Sequence, residues 1–363
     1  MGTITRSLAN NLTTSQGVDT NKFRNLVING DMYIAQRSTS VSSITSSNYF
    51  TIDRMRTRCN IGTWTQSQST DVPSGQGFVK SLKMDCTTAD ASPPAANTLS
   101  IQHIIEGQNL QYLKKGTSSA ESLTMSFWVK SSKTGTYIAE LFDNDNQRQI
   151  SKSYTIDSAD TWEKKTITYE GDTSGAYGND SGASLYIEFW LAAGSNYTSG
   201  TLSTTWTANT NANRVVGNVN LADNTSNDWY ITGVQLEAGT SASEFEFLPV
   251  DVSFLRCQRY YYVHATNSHI IGTMWWYNGS INSTTCHFPT EMRTAPSLST
   301  TSGTGFYRVF TGGGPTDFDS FTGIEDESPH AAAVDSGLSG TAHNVGRVKC
   351  NDGGEIIFIA ELG

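Results

Sequence analysis

The stretch NLVINGDMYIAQRSTS, residues 25–40, decides how the chain is read. Its first half alternates apolar with polar residues, the period of a β-strand. The pattern breaks at Asn29-Gly30-Asp31, a cluster with turn chemistry, and resumes with Met32 and Ile34 before a run of hydroxyl-bearing residues. A strand interrupted by a turn pair and followed by so many hydroxyls asks for an explanation from the rest of the chain.

Strand-like segments recur beyond it, at 78–86, 123–129, 137–142, 162–169, 185–191 and 229–236, separated by turn clusters. Only 108–115 and 251–258 read as helical, and both are short. No alternation of strands with helices is present, which argues against a parallel α/β fold. In LTMSFWV, Leu123, Met125, Phe127 and Val129 share one face, with Thr124, Ser126 and Trp128 opposite. LYIEFWL repeats the design: Leu185, Ile187, Phe189 and Leu191 on one side, Tyr186, Glu188 and Trp190 on the other. Each strand therefore has an apolar face and a face that mixes aromatics with polar groups.

Composition agrees with an all-β chain. Of 363 residues only 16% are charged, below the roughly 25% of ordinary soluble proteins, while 10% are aromatic and Ser, Thr, Asn and Gly abound. That length is enough for two cores, since one core rarely grows beyond roughly 250 residues. A net charge of −10 and a pI near 5.1 argue against nucleic acid or an anionic membrane as partner, because both need a basic footprint. The five cysteines are odd in number, widely spaced and without a CxxC pair, as expected of buried free thiols. Neither a signal-peptide core nor a run of 18 apolar residues occurs, so synthesis in a reducing cytoplasm without membrane insertion is expected.

The chain divides into three segments. Residues 1–22 are polar, without aromatics or a sustained period, and read either as a disordered tail or as an arm that orders against a partner. Residues 23–249 form the first β-domain. After Leu248-Pro249 the composition changes, and 250–363 form a second, smaller β-sandwich. In its IIGTMWWY stretch both faces are apolar, with Ile270, Met274 and Trp276 against Ile271, Trp275 and Tyr277. Such a strand is covered on both sides, and Trp275, Trp276 and Tyr277 are candidates for a subunit interface.

NLVINGDMYIAQRSTS followed by YFTIDRMR at 49–56 resembles the opening of a module of bacteriophage tail-fibre and other virion surface proteins, in which an N-L-x-x-N-G-x-x-x-x-x-Q-R phrase precedes Y-x-x-D-R-W. LTMSFWVKSS, TWEKKTITYEG and DWYITGVQLEAGTSASEFEFLP are similar to its later strands, down to the closing Q-L-E-x-G and F-E. RCQRYYYV and FPTEMRTAPS resemble the domain that often comes next, and Met55 stands where Trp is usual. The resemblance implies a jelly roll related to carbohydrate-binding modules, then a small sandwich at the distal end of a fibre, usually trimeric. It implies a virion protein, made in the host cytoplasm, that docks on a tail or capsid protein through residues 1–22 and meets host surface polysaccharide. On this reading the Asn-Gly-Asp break is a bend or bulge in the first strand, and residues 36–40 begin a polar surface loop.

Receptor contact is expected on the second domain, 250–363, with the Trp128, Tyr186 and Trp190 face of the first as the competing site. Trp128, Tyr186 and Trp190 could stack on sugar rings beside Glu188, or could be covered by a second layer of chain. Phe306, Phe318 and Phe321 lie among Gly, Ser and Thr in stretches read as adaptable recognition loops, 303–306 and 312–321. No enzyme is expected. Asp317 with Asp319, or Glu325 with Glu327, could be nominated as a glycosidase pair, yet both sit in turn-rich stretches, and no β-helix repeat marks a polysaccharide depolymerase. Asp143-Asn144-Asp145-Asn146 lacks the central Gly and final Glu of a calcium loop and reads as a hairpin turn. Tyr33 occupies the position where related modules place an acidic calcium ligand, and no metal or cofactor is expected.

Overall fold

The computed structural model describes residues 23–363. The expected anchoring arm, 1–22, lies outside the described residues. Two cores form, one from residues between Leu26 and Leu236 and one from residues between Ala265 and Ala360. Every strand pairing is antiparallel. The fold is all-β, as the alternating patterns require.

In the first sandwich one sheet runs, in spatial order, Ser40–Ile44, Thr63–Ser69, Ser81–Thr88, Asp228–Ala238, Leu123–Ser131 and Glu163–Tyr169. The other runs Thr207–Ala208, Arg148–Ile156, Gly135–Asp143, Ala183–Ala193, Thr98–Glu106, Arg56–Cys59 and Asn48–Tyr49. The apolar faces read from LTMSFWV and LYIEFWL meet between them, with Phe127 and Phe189 edge to face at 5.1 Å. Full burial of a side chain of this size stabilises by roughly 1.5–3 kcal/mol, so this layer carries the jelly roll.

The second sandwich pairs a three-stranded sheet (Tyr261–Thr266, Glu355–Ile359, Ser297–Thr300) with a seven-stranded one. The larger sheet runs Gly314–Phe318, Tyr307–Thr311, Val345–Cys350, Ile270–Trp276, Asn282–His287, Ala331–Ser336 and Phe321–Glu325. The helix read at 251–258 forms over Val250–Gln258, whereas 108–115 holds two 3-10 turns, Gly107–Asn109 and Gln111–Leu113. All five thiols are free and buried. No helix among the described residues is long and apolar enough to cross a membrane.

Residues 25–40 do something other than expected. Among the described residues no strand forms before Ser40. The segment instead lies along Asp228–Ala238 where that strand breaks register, between Thr232 and Gln235. Asn25 makes the join: its side chain accepts from the amides of Val27 and Leu236 and donates to the Val234 carbonyl. Gly30 is required by proximity, since a Cβ there would sit 2.1 Å from the Val234 oxygen. The left-handed backbone belongs to Asn29 and Met32, at φ 62° and 60°. Asn29 holds that turn by bonding the Ile34 amide and carbonyl and the Asp53 carbonyl.

Gln36 and Arg37 do not begin a surface loop. The Gln36 amide donates to the Asp53 carboxylate and to the Tyr261 carbonyl of the second sandwich. Arg37 lies 3.7 Å from the Tyr261 ring and bonds Glu361 at 2.9 Å. Arg54, fully buried, pairs with the same Glu361 and lies 3.6 Å from the Tyr260 ring. The Q-R and D-R phrases therefore fasten the two sandwiches together, assisted by an apolar seam of Ile28, Ile34, Ile104, Cys257, Tyr260 and Leu362.

Candidate functional site

The two tryptophan-bearing outer faces of the jelly roll have opposite fates. On the seven-stranded sheet, Trp190 is completely buried and its indole N–H donates to Glu140 at 2.8 Å. Residues 194–227, between two strands, fold back over this face and place Val215, Leu202 and Tyr197 against Trp190 and Ile138. Arg214 from the same excursion enters between Glu140 (2.8 Å) and Glu188 (3.2 Å), carboxylates directly opposite each other on neighbouring strands. Burial alone would lower the Arg214 pKa, but these two carboxylates hold it above its ordinary value. Tyr186 is half-buried at the seam, edge-on to Phe142. Of the two readings open for these rings, the covered one describes Trp190 and half-buried Tyr186, over which the protein's own chain packs as a second layer.

On the six-stranded sheet the face around Trp128 stays open. Thr232 and Lys164 flank Trp128 in register on the two adjacent strands. The chain after Ala238 returns over the neighbouring outer positions, held by Gln235, whose side chain contacts the backbone of Glu244 and Glu246. This return sets Phe245 and Phe247 beside Phe78, with ring centroids 4.8–5.1 Å apart. Gly233 makes room, because a Cβ on it would meet the Phe78 ring at 2.5 Å. A cleft of about 200 Å³ results, walled by Trp128, Phe78 and Phe247, with Phe247 50% exposed.

Gln76, Ser126, Lys164 and Glu244 supply its polar rim. Among the described residues, Lys164 forms no ion pair and the side chains of Gln76 and Glu244 no hydrogen bonds. An amide, an ammonium and a carboxylate with spare capacity beside flat rings can bond the hydroxyls of a ring stacked on apolar carbon. Glu244 is the one carboxylate among the lining residues.

The structure places the remaining candidates elsewhere. Phe318 and Phe321 are buried in the second core with Tyr307, at ring distances of 4.9–5.4 Å, and Phe306 packs against that core. Their expected role on a recognition loop is corrected, since 312–321 contains the strand Gly314–Phe318. Of the subunit-interface candidates, Trp276 faces its own core, while Trp275 and Tyr277 point outward at 45% and 63% exposure. Asp317 pairs with the exposed Arg308, and Asp319 accepts from the Gly305 amide. Residues 143–146 turn between paired strands, and no group of three acidic, His or Cys side chains that could hold a metal is present among the described residues. Sequence reading missed Phe78, Gln76, Lys164 and Phe247. The alternation in FEF at 245–247 was their one local signal.

No protein-family model matches the chain, and no curated protein matches it with significance. Solved structures that it resembles include the enzymatically active domain of bacteriophage CBA120 tailspike protein 4, at 16% identity and a TM-score of 0.32, covering 59% of this chain and 21% of that one. The chain thus spans about a fifth of that tailspike. The N-terminal cellulose-binding domain of Cellulomonas fimi β-1,4-glucanase C matches at 13% identity and TM-score 0.26, over 48% of this chain and 85% of that domain. A family 61 carbohydrate-binding module in complex with β-1,4-galactotriose matches at 9% identity and TM-score 0.25, over 59% and 99%.

Proposed function

We propose that the chain is a structural, non-enzymatic protein of a bacteriophage particle, a tail fibre that docks through residues 1–22 and binds host surface glycan. The observation that carries the binding role is the Trp128 cleft, an open aromatic slot whose polar groups have unused hydrogen-bonding capacity. The sequence phrases at 25–56 and 229–248 support the virion setting. Weak binding at one cleft becomes firm when several copies engage one surface.

A second copy is the partner proposed for the outer face of the second sandwich. Of the eight tryptophans only Trp275 is exposed, and Tyr277, Ile281 and Val345 around it are each more than half exposed. That cluster is larger than scattered surface apolars and suits a trimer interface.

The test is retention of the full-length protein on host surface polysaccharide. Trp128→Ala combined with Phe247→Ala is expected to weaken binding at least about tenfold with folding intact, since stacking on one aromatic ring is worth roughly 1–3 kcal/mol. Unchanged binding removes the cleft from the proposal. Release of new reducing ends from the polysaccharide would replace the binding role with a depolymerase.

A further inference from the structure

A second cleft, of about 440 Å³, opens where the sandwiches meet. That is within the roughly 300–1,000 Å³ of small-ligand sites. Its first wall is the strand Thr98–Glu106 with the two 3-10 turns, which contribute His103, Gln108, Asn109 and Tyr112. The second wall comes from the C-terminal end of the helix Val250–Gln258 and from chain beyond it, including Arg256, Arg259 and Glu291. It shares no lining residue with the Trp128 cleft, and the inference does not rest on that site.

Two hydrogen-bond donors border this cleft. The Ile28 amide donates to His103 Nε2 at 3.3 Å, so that nitrogen carries the lone pair and the neutral ring bears its proton on Nδ1. Nδ1 is buried beside the Arg54 backbone, to which it can donate. Burial, with Arg54 and Arg256 nearby, holds the His103 pKa well below its ordinary value, which keeps the ring neutral. Arg256 is the second donor. Arg54, Arg214 and Arg259 each pair with a carboxylate, whereas half-buried Arg256 forms no ion pair or hydrogen bond among the described residues; it faces the Phe23 ring at 5.8 Å and feels the Glu246 charge from beyond ion-pair distance.

The carboxylate whose charge acts on Arg256, Glu246, is already engaged by the Phe23 and Asn25 amides. Glu106 accepts from Arg259, Tyr260 and Gln108. A partly desolvated guanidinium without an ion pair favours a ligand that brings negative oxygen. Tyr112, half exposed, offers a flat ring, and the Asn109 amide and Glu291 carboxylate remain for hydroxyls. We infer that this cleft binds an acidic sugar, a uronic acid residue, with its carboxylate on Arg256, its ring against Tyr112 and its hydroxyls toward Asn109 and Glu291.

Glucuronate and glucose differ at one position, a carboxylate against a hydroxymethyl group, and make a matched pair of probes for calorimetric or saturation-transfer titration of the full-length protein. Glucuronate is expected to bind at least about tenfold more tightly than glucose, and Arg256→Gln to remove that preference, because a desolvated charge contact loses at least that much when one partner is truncated. Trp128→Ala should leave glucuronate binding unchanged, which separates this site from the other cleft. Should Arg256→Gln fail to fold by circular dichroism, Tyr112→Ala on the exposed turn serves instead and is expected to weaken glucuronate severalfold. Equal binding of the two sugars, no binding of either, glucuronate binding that survives the cleft substitutions, or its loss in Trp128→Ala would each overturn the assignment.

Discussion

Leu123–Ser131 and Ala183–Ala193 are near twins in pattern, yet Trp128 lines an open cleft while Trp190 is sealed beneath the protein's own chain. The difference lies in what each sheet is given to wear. Residues 194–227 cross the Trp190 face and plug Arg214 between two carboxylates, and the second sandwich covers the rest around Ile104 and Tyr186. On the Trp128 face the returning chain at 239–247 stops short and becomes a wall instead of a lid. An aromatic on the mixed face of a strand is thus a site or a second core according to the length and anchoring of a distant connection.

The sharpest way to break this contrast is to remove the plug. Arg214→Ala leaves Glu140 buried without its cation and Glu188 with Arg58 alone at 3.4 Å, a loss of about 3–5 kcal/mol. Chemical denaturation should show it, and proteolysis should cut first within 194–227. Next is the pair of tryptophans themselves. Trp190→Ala is expected to destabilise by about 3 kcal/mol through the cavity it leaves, whereas Trp128→Ala should change stability by less than about 1 kcal/mol and act on glycan retention. Equal destabilisation by the two substitutions would erase the distinction drawn between the faces.

The mildest perturbation is acid, which acts on the seam. His103 has a folded pKa depressed below the unfolded 6.5 by burial, so its neutral-state contribution is complete above that value and is lost as pH falls below it. Glu106 titrates at lower pH. Although burial opposes ionisation, Arg259 and Tyr260 depress its pKa below 4.5, so its contribution is lost as pH drops through the depressed folded value. Thermal melts should therefore decline from pH 7 to 5.5 and again below 4.5. His103→Gln should reduce the first decline, to which His264, also lowered by burial, contributes, while leaving the second.

Local pattern was legible where a strand faces one core. The alternations in LTMSFWV and LYIEFWL named the inward residues because a pleated strand turns successive side chains to opposite faces. Residues 25–40 misread because their partners are far away: Asn25 bonds Leu236, and Arg37 bonds Glu361. Asn29, not the expected glycine, takes the left-handed turn, since its own side chain bonds the turn it makes. Phe318 and Phe321 misread for the opposite reason. Their Gly-rich and Ser-rich surroundings are hairpin turns, and the rings themselves face inward.

By itself the sequence determined the all-β class, the inward faces of the long strands, the short helix at 250–258 and the free thiols, because each arises from side-chain period or composition over a few residues. Tertiary structure alone decided which tryptophan is open, that the Q-R and D-R phrases bind one sandwich to the other, and that Arg256 reaches a cleft without an ion-pair partner. Those outcomes depend on contacts between residues tens to hundreds of positions apart, and no local period encodes such a contact.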